Sequence, residues 1–406
     1  MKILYINVFY EPYIAGGAEI TLKNIVEGMK KKGHIVKVVS LWDKNHVKEE
    51  KINDIDVIRV PIKNLYLPFF DNKTRPNSLK RTIWHFIESY NPFILRETAN
   101  IIKGFNPDVV SIHNTQGWSA PVLWKFLYEN KYPFIQVLHD QYLLCPTNMF
   151  RNNKICQTQC SKCKVLRTFY KKNSKYVPTV VGVSNFILNK LLNYGYFKNA
   201  KFKEVIYNAR NIKKYNYNIN LNNRKTISND IIYGFIGKLA PNKGIELLLD
   251  VFINNSKREN WKLLVAGNGD KDYEDFLKSK YNRSNVKFLG KVHPDEFFPN
   301  VDVTVVPSLW EENFPGVIFE SLFYGKPVIG SKIGGIPEMI NENNGYIFKY
   351  NNKEDLYEKM VDFEKKIYSW KEKSDLIQKE AVETYNYDKW LDRWESVYGD
   401  VVSAKD

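Results

Sequence analysis

Between Pro307 and Glu338 the chain reads PSLWEENFPGVIFESLFYGKPVIGSKIGGIPE. This pattern predicts a strand end, an acidic turn, and a helix whose N-terminus holds Pro315 and Gly316. Backbone amides at such a terminus, reinforced by the helix dipole, suit a diphosphate. Glu320 falls one or two turns into that helix, and Glu312 precedes it by eight positions. One carboxylate is thus set at the helix mouth and another within its first turns, where both can accept hydrogen bonds from sugar hydroxyls. Either glutamate alone reads equally well as a capping-region or surface residue.

All four cysteines fall in one short stretch, Cys145, Cys156, Cys160 and Cys163, with spacing C-x10-C-x3-C-x2-C. In a reducing compartment that pattern favours metal thiolates over disulfides. Four thiolates can enclose a tetrahedral zinc ion of the structural kind, with no open ligand position. Reduced free thiols in a loop are the other reading.

The elements that must hold these groups are legible as alternating strand and helix patterns. Strand-like runs are Lys2–Val8, Ile35–Leu41, Asp56–Val60, Asp108–His113, Pro133–His139, Thr179–Val183 and Glu204–Tyr207. Helical patterns lie at about 18–32, 79–103, 119–130 and 184–194. The polar stretch Asn208–Asn229 then breaks the alternation and reads as a linker. After it the pattern restarts with Ile231–Ile236, a helix at about 242–255, Trp261–Ala266, a helix at about 270–281 and Val286–Leu289. It continues through Val301–Val306, a helix at about 315–324, Pro327–Ile329 and Tyr346–Phe348. Strands separated by helix-length patterns argue for parallel α/β sheets. Such sheets bind ligands beyond the carboxyl ends of their strands, so the cleft between two such domains is the expected active site.

A length of 406 residues fits two domains. The charged fraction of 26% and aromatic fraction of 15% exclude a disordered chain. No apolar run approaches about 18 residues, which excludes a membrane-spanning helix. The first residues lack the regions of a signal peptide, so a cytoplasmic location is expected. The net charge of +15 is compatible with nucleic acid, an anionic membrane or phosphorylated small molecules. Lysine accumulating through AT-biased coding explains it equally.

The segment holding Glu312 and Glu320 closely resembles the E-x7-E nucleotide-sugar motif of retaining glycosyltransferase family 4, including its G-K-P-V-I and G-G-I-P-E continuations. Other segments resemble that family in order. They are Gly16–Glu19 (a Gly-rich loop), Val183-Ser184, Tyr207-Asn208, Ile236–Gly244 (IGKLAPNKG), Trp261–Asp270 and Lys287–Gly290. The resemblance implies a GT-B fold: two Rossmann-like domains facing a central cleft, spanning 1–208 and 209–380, with a C-terminal helix at 381–406 crossing back to the first. Trp390 and Trp394, four apart, fall on one face of that helix.

By resemblance, Lys238 and Lys243 neutralise the donor diphosphate, with Lys238 standing where most members carry Arg. Glu320 holds the donor ribose, and Glu312 meets the transferred sugar. Backbone groups of Phe314, Pro315, Gly316 and Val317 approach sugar and diphosphate, as do Gly16 and Gly17. His139 lies near the anomeric centre. His113 is a lower-ranked candidate, and Asp140 is expected to orient His139 or meet the acceptor.

The implied activity is retaining, metal-independent transfer from a nucleoside-diphosphate sugar to a glycan or lipid-linked acceptor, in bacterial-type polysaccharide, lipopolysaccharide or glycoconjugate assembly. A sugar-nucleotide epimerase or hydrolase of the same fold is the first rival, and a basic nucleic-acid binder the second. The favoured reading has no nucleic-acid partner. The D-x-D match at Asp54–Asp56 reads as a turn before a strand, not a metal motif. Lys164–Lys175 reads as a basic amphipathic helix which, with Leu65–Phe70, could rest on the inner face of an anionic membrane. Solvated helix and core loop are the competing readings.

Overall fold

The structure, a computed structural model, describes residues 1–68, 76–211, 230–254 and 258–404. Most of the Asn208–Asn229 stretch, and Phe69 and Phe70, lie outside them. The chain divides into two compact units. The first comprises Met1–Arg151, Cys156–Ala209 and Asp388–Asp406; the second comprises Asn152–Ile155 and Arg210–Tyr387.

The strands of the first unit's sheet are β1 (Lys2–Asn7), β2 (Ile35–Trp42), β3 (Lys48–Ile52), β4 (Ile55–Pro61), β5 (Val109–Ile112) and β6 (Phe134–Leu138). After the two-residue strands β7 (Phe150–Arg151) and β8 (Lys154–Ile155) come β9 (Thr179–Gly182) and β10 (Phe202–Val205). The sheet runs β10-β9-β6-β5-β1-β2-β4-β3, and only the β3–β4 pair is antiparallel. Its central strands are apolar on both faces because helices cover both, as parallel sheets require. Ile3, for example, pairs with Val36 on one side and Val109 on the other, and all three are buried. The helices are α1 (Gly17–Lys31), α2 (Ser78–Ser89), α3 (Leu95–Phe105), α4 (Ala120–Glu129), α5 (Ser161–Leu166), α6 (Thr168–Asn173) and α7 (Asn185–Asn193).

The second unit's sheet is wholly parallel: β11 (Ile231–Ile236), β12 (Trp261–Ala266), β13 (Val286–Gly290), β14 (Val303–Val306), β15 (Val328–Ser331) and β16 (Gly345–Phe348), in the order β13-β12-β11-β14-β15-β16. Its helices are α8 (Ile245–Asn254), α9 (Lys271–Lys280), α10 (Pro294–Phe297), α11 (Gly316–Phe323), α12 (Lys353–Lys365), α13 (Ile367–Glu372) and α14 (Ser374–Thr384). In both sheets the strand order reverses direction beside the first strand, between β1 and β5 and between β11 and β14. Adjacent loops there leave in opposite directions and open a crevice for a ligand.

Three elements differ from the sequence expectation. The pattern at 79–103 is two helices, because Asn91 and Pro92 end α2 and start a one-turn 3-10 helix, Pro92–Ile94, before α3. The basic stretch at 164–175 is not one helix: α5 stops at Leu166 and α6 begins at Thr168. Strand β3, KEEKI, is too charged to stand out in the sequence. It pairs with β4 through a turn in which Asn53 and Asp54 adopt left-handed backbone, which places the D-x-D match in a hairpin.

The last helix, α15 (Tyr387–Ser403), packs on the first unit. Lys32, the C-cap of α1, reaches Asp392 and Glu395 at 2.5 and 2.7 Å, and His34 meets Glu395 at 2.7 Å. Gly28 lets α1 come close: a Cβ there would lie 2.3 Å from Leu391. Trp390 and Trp394 are both buried. Trp394→Ala is expected to cost about 3–5 kcal/mol, read by denaturant unfolding of the full chain.

Candidate active site

In the second unit the chain leaves β11 through Gly237 and Lys238, makes a 3-10 turn over Pro241–Lys243, and turns into α8 at Gly244. Gly244 has φ +71°, and a Cβ there would stand 1.8 Å from the Pro307 carbonyl oxygen. Only glycine allows both the left-handed backbone and that approach. The Leu309 amide then donates to the Asn242 carbonyl at 2.9 Å, fastening the loop after β14 to the loop after β11.

This fastening brings Lys243 to Glu312. Lys243 Nζ lies 2.5 Å from Glu312 Oε1, and the Ser308 hydroxyl donates to the same oxygen at 3.1 Å. The ammonium also sits 5.1 Å from the Trp310 ring centre. Glu312 is only 10% exposed at its side chain, so the pairing offsets the cost of burying its charge. Its own carbonyl accepts from the Gly335 amide at 2.6 Å, which ties in the G-G-I-P-E loop.

Glu320 lies in α11, whose N-cap is Pro315. Its Oε1 is 3.9 Å from Arg210 Nε, and the Arg210 guanidinium stacks 5.4 Å from the Phe319 ring centre. A Cβ at Gly316 would lie 3.5 Å from Glu320 Oε1 and 3.6 Å from Arg210 Nη2. Both side chains therefore flank the first turn of α11. Burial pushes the Glu320 carboxyl up, while Arg210 and His293 pull it down. The Phe314 ring is buried against Phe319 and Tyr385, so this residue offers a ligand its backbone. Val317 is half-buried against the cluster of Phe297, Phe298 and Tyr324.

Lys238 is exposed and lines a groove of about 390 Å³ beyond the ends of β11, β12 and β13, with Gly237, Gly267, Asn268 and Lys291. Arg210 and Lys291 escape the sequence reading. Arg210 follows Tyr207-Asn208 by only a few positions, a signal that was open to use; Lys291 stands in no motif.

In the first unit, loops after β1, β5 and β6 converge at neighbouring strand ends. The Gly16 amide donates to Glu19 Oε2 at 2.8 Å, just before Gly17 opens α1. Asn114 Nδ2 donates to Glu19 Oε1 at 3.2 Å. His113 Nδ1 lies 2.8 Å from His139 Nε2 and the two rings stack, while His113 Nε2 lies 3.1 Å from Ser111 Oγ. Burial pushes His139 down to about 4, and His113 goes well below its usual range through burial and the neighbouring His139. Both imidazoles are thus neutral near pH 7. Asp140 accepts from the Tyr142 amide at 2.9 Å, and burial pushes its carboxyl up to about 6.

The four cysteines are not assembled as a metal cage. Cys145 and Cys163 are buried with their sulfurs 3.4 Å apart, but Cys156 is half-buried and Cys160 is exposed. Cys160 is the N-cap of α5, so it sits at the surface while Cys163, one turn on, faces inward. Among the described residues, no three His, Cys, Asp or Glu side chains group so as to hold an ion. In this arrangement one pair of the four thiols, Cys145 and Cys163, is in contact. The Cys145 thiol is pushed down to about 5, chiefly by its hydrogen bond with Cys163 and also by the amides of Thr147 and Met149.

Two open α/β sheets, each with loops gathered at its switch point, define a GT-B glycosyltransferase architecture. Family models agree along the chain: "Glycosyltransferase Family 4" matches residues 15–214 and "Glycosyl transferases group 1" matches residues 218–381. The chain belongs to glycosyltransferase family 4. It is 34% identical over 340 residues to an uncharacterized 42.6 kDa protein in the cps region of Klebsiella pneumoniae, covering 84% of this chain and 87% of that one. Among solved structures it resembles sucrose-phosphate synthase from Thermosynechococcus elongatus, with TM-score 0.75, 18% identity and 99% of each chain covered. It also resembles HepE of Anabaena in complex with UDP and glucose, with TM-score 0.68, 19% identity, and 98% of this chain and 99% of that one covered. At these identities the structural likeness shows the fold.

Gly244→Ala should destabilise the protein, because the Pro307 carbonyl must move to admit the added carbon. A lowered thermal midpoint of the variant reads this effect. For the histidines, the unfolded imidazole takes up a proton near pH 6.5, well before the folded one does. The stability that neutral His113 and His139 permit is therefore full above about pH 6.5 and falls as pH drops toward 4. Unfolding midpoints across that range, with histidine NMR shifts that stay flat down to about pH 5, would check this.

Proposed function

We propose that this protein transfers a sugar from a nucleoside-diphosphate sugar to a glycan or lipid-linked acceptor with retention of configuration and without a catalytic metal, in the assembly of a bacterial-type capsule or related surface polysaccharide. The observation that carries this reading is the Lys243–Glu312 pair, held at the switch point of the second sheet. The cps-region setting of the Klebsiella relative supports the polysaccharide context, and the UDP and glucose in the HepE complex support the donor class.

The first amides of α11 have no partner within their own helix, so they are placed to receive the diphosphate. Lys243 and Lys238 supply positive charge for it. Glu320, flanked by Arg210, is assigned to the ribose hydroxyls, and Glu312 to a hydroxyl of the transferred sugar. Because Lys243 and Ser308 already engage Glu312, it suits hydrogen bonding better than attack on carbon. Retention then follows from reaction at one face. The bond from the anomeric carbon to the diphosphate oxygen breaks, that carbon bonds to the acceptor oxygen, and the acceptor proton passes to the departing diphosphate. Charge stabilisation on the leaving group supplies most of the catalysis. Neutral His139 is assigned to hydrogen bonding with sugar hydroxyls and not to proton transfer.

Lys243→Ala and Glu320→Ala should each lower kcat/KM by about tenfold or more, since each removes more than about 1 kcal/mol of transition-state stabilisation. Losses within about threefold in both would contradict the assigned roles. With a donor found by screening nucleoside-diphosphate sugars, activity should persist in EDTA, and the product's anomeric configuration by NMR should match the donor's. Release of free sugar or an epimer without acceptor product would instead favour a hydrolase or epimerase.

A further inference from the structure

Helix α2 is inverted relative to an ordinary amphipathic helix. Leu79, Ile83 and Phe86, spaced four and three apart, form its outward stripe, while Trp84 and Glu88 face the core. Phe86 is 68% exposed, and Tyr90 and Phe93 extend the apolar line beyond the helix end, Phe93 with 71% exposure. Across a groove of about 570 Å³, α5 presents Val165, 66% exposed. Phe169 of α6 closes the patch by packing on Tyr90, ring centres 5.1 Å apart. Scattered exposed apolar residues need no explanation, but a continuous surface drawn from several elements marks an interaction site.

Within the two segments that form this patch, the exposed charge has one sign. Across residues 77–93 and 161–176 the only acidic residue is Glu88, which is buried against Arg167 at 3.4 Å and accepts from Tyr142. The exposed charges there include Lys80, Lys162, Lys164, Lys171, Lys172 and Lys175. Lys162 Nζ donates to Thr82 Oγ1 at 2.7 Å, bridging α5 and α2 at the groove's edge. Protein interfaces are depleted of lysine, whereas aromatic and aliphatic side chains ringed by lysines match the headgroup region of an anionic bilayer.

We propose that this face of α2, α5 and α6 docks the protein on an anionic lipid surface, with Leu79, Ile83, Phe86 and Val165 entering the headgroup–acyl boundary and the lysines meeting lipid phosphates. The sequence expectation of membrane contact is thereby relocated. The apolar partner assigned to the basic stretch is α2; of the Leu65–Phe70 segment, Leu65 is exposed, Leu67 is buried, and Phe69 and Phe70 lie outside the described residues. The inference is independent of the catalytic reading.

Flotation of the full chain with vesicles tests it, using phosphatidylcholine alone and phosphatidylcholine with roughly a third phosphatidylglycerol. The protein should float with the anionic vesicles only, and high salt should release it. The double variants Phe86→Glu/Val165→Glu and Lys162→Glu/Lys164→Glu should each weaken binding by about tenfold or more, with unchanged thermal midpoints and unchanged UDP binding. Equal flotation with both vesicle types would overturn the proposal, as would double variants that bind like wild type. Absence of flotation, with concentration-dependent dimerisation abolished by Phe86→Glu, would overturn it in favour of a contact between copies of this chain.

Discussion

A carboxylate enclosed at the end of a parallel sheet must be matched by a cation, and Lys243 provides that match for Glu312 across 69 positions of chain. The pair can form only because β11 and β14 are neighbours, and because Gly244 lets the first loop lie against the Pro307 carbonyl. Ser308 completes the shell on the same oxygen. Charge balance at the crevice and close backbone approach are therefore one constraint, since loosening the glycine turn would separate the ammonium from its carboxylate.

The same logic recurs along the switch points. Arg210 stands beside Glu320 at the mouth of α11, so a half-buried carboxylate again has a cation nearby. In the first unit the groups gathered at the strand ends are different. Two stacked imidazoles, held neutral by burial, replace ion pairs. The two imidazoles offer hydrogen bonds without charge of their own, whereas the second unit concentrates cations where a diphosphate would need them.

Much of this was legible in order along the chain. Parallel strands buried on both faces read as short apolar runs, and glycine-bounded turns after strands mark the loops that carry Lys238, Lys243 and Glu312 and lead into the helix that carries Glu320. The dipeptide Asn91-Pro92, which divides the long helical pattern at 79–103, is a local signal of that break. Strand β3 was hidden because KEEKI pairs only at the sheet edge, where charged side chains are tolerated. The cysteine spacing suggested four converging sulfurs. The N-cap position of Cys160 keeps that residue outside, and helix geometry turns Cys163 inward toward Cys145.

By itself the sequence determined the alternation of strands and helices, the motif order, and which residue types stand after which strand, because period and turn chemistry are local. Tertiary structure decided who meets whom. It set Lys243 on Glu312 and Arg210 beside Glu320, stacked His113 on His139, and left two of four thiols in contact. It also turned the apolar stripe of α2 outward beside the lysines of α5 and α6. A helical pattern states that a helix has an apolar face; only the packing of its neighbours states whether that face is covered.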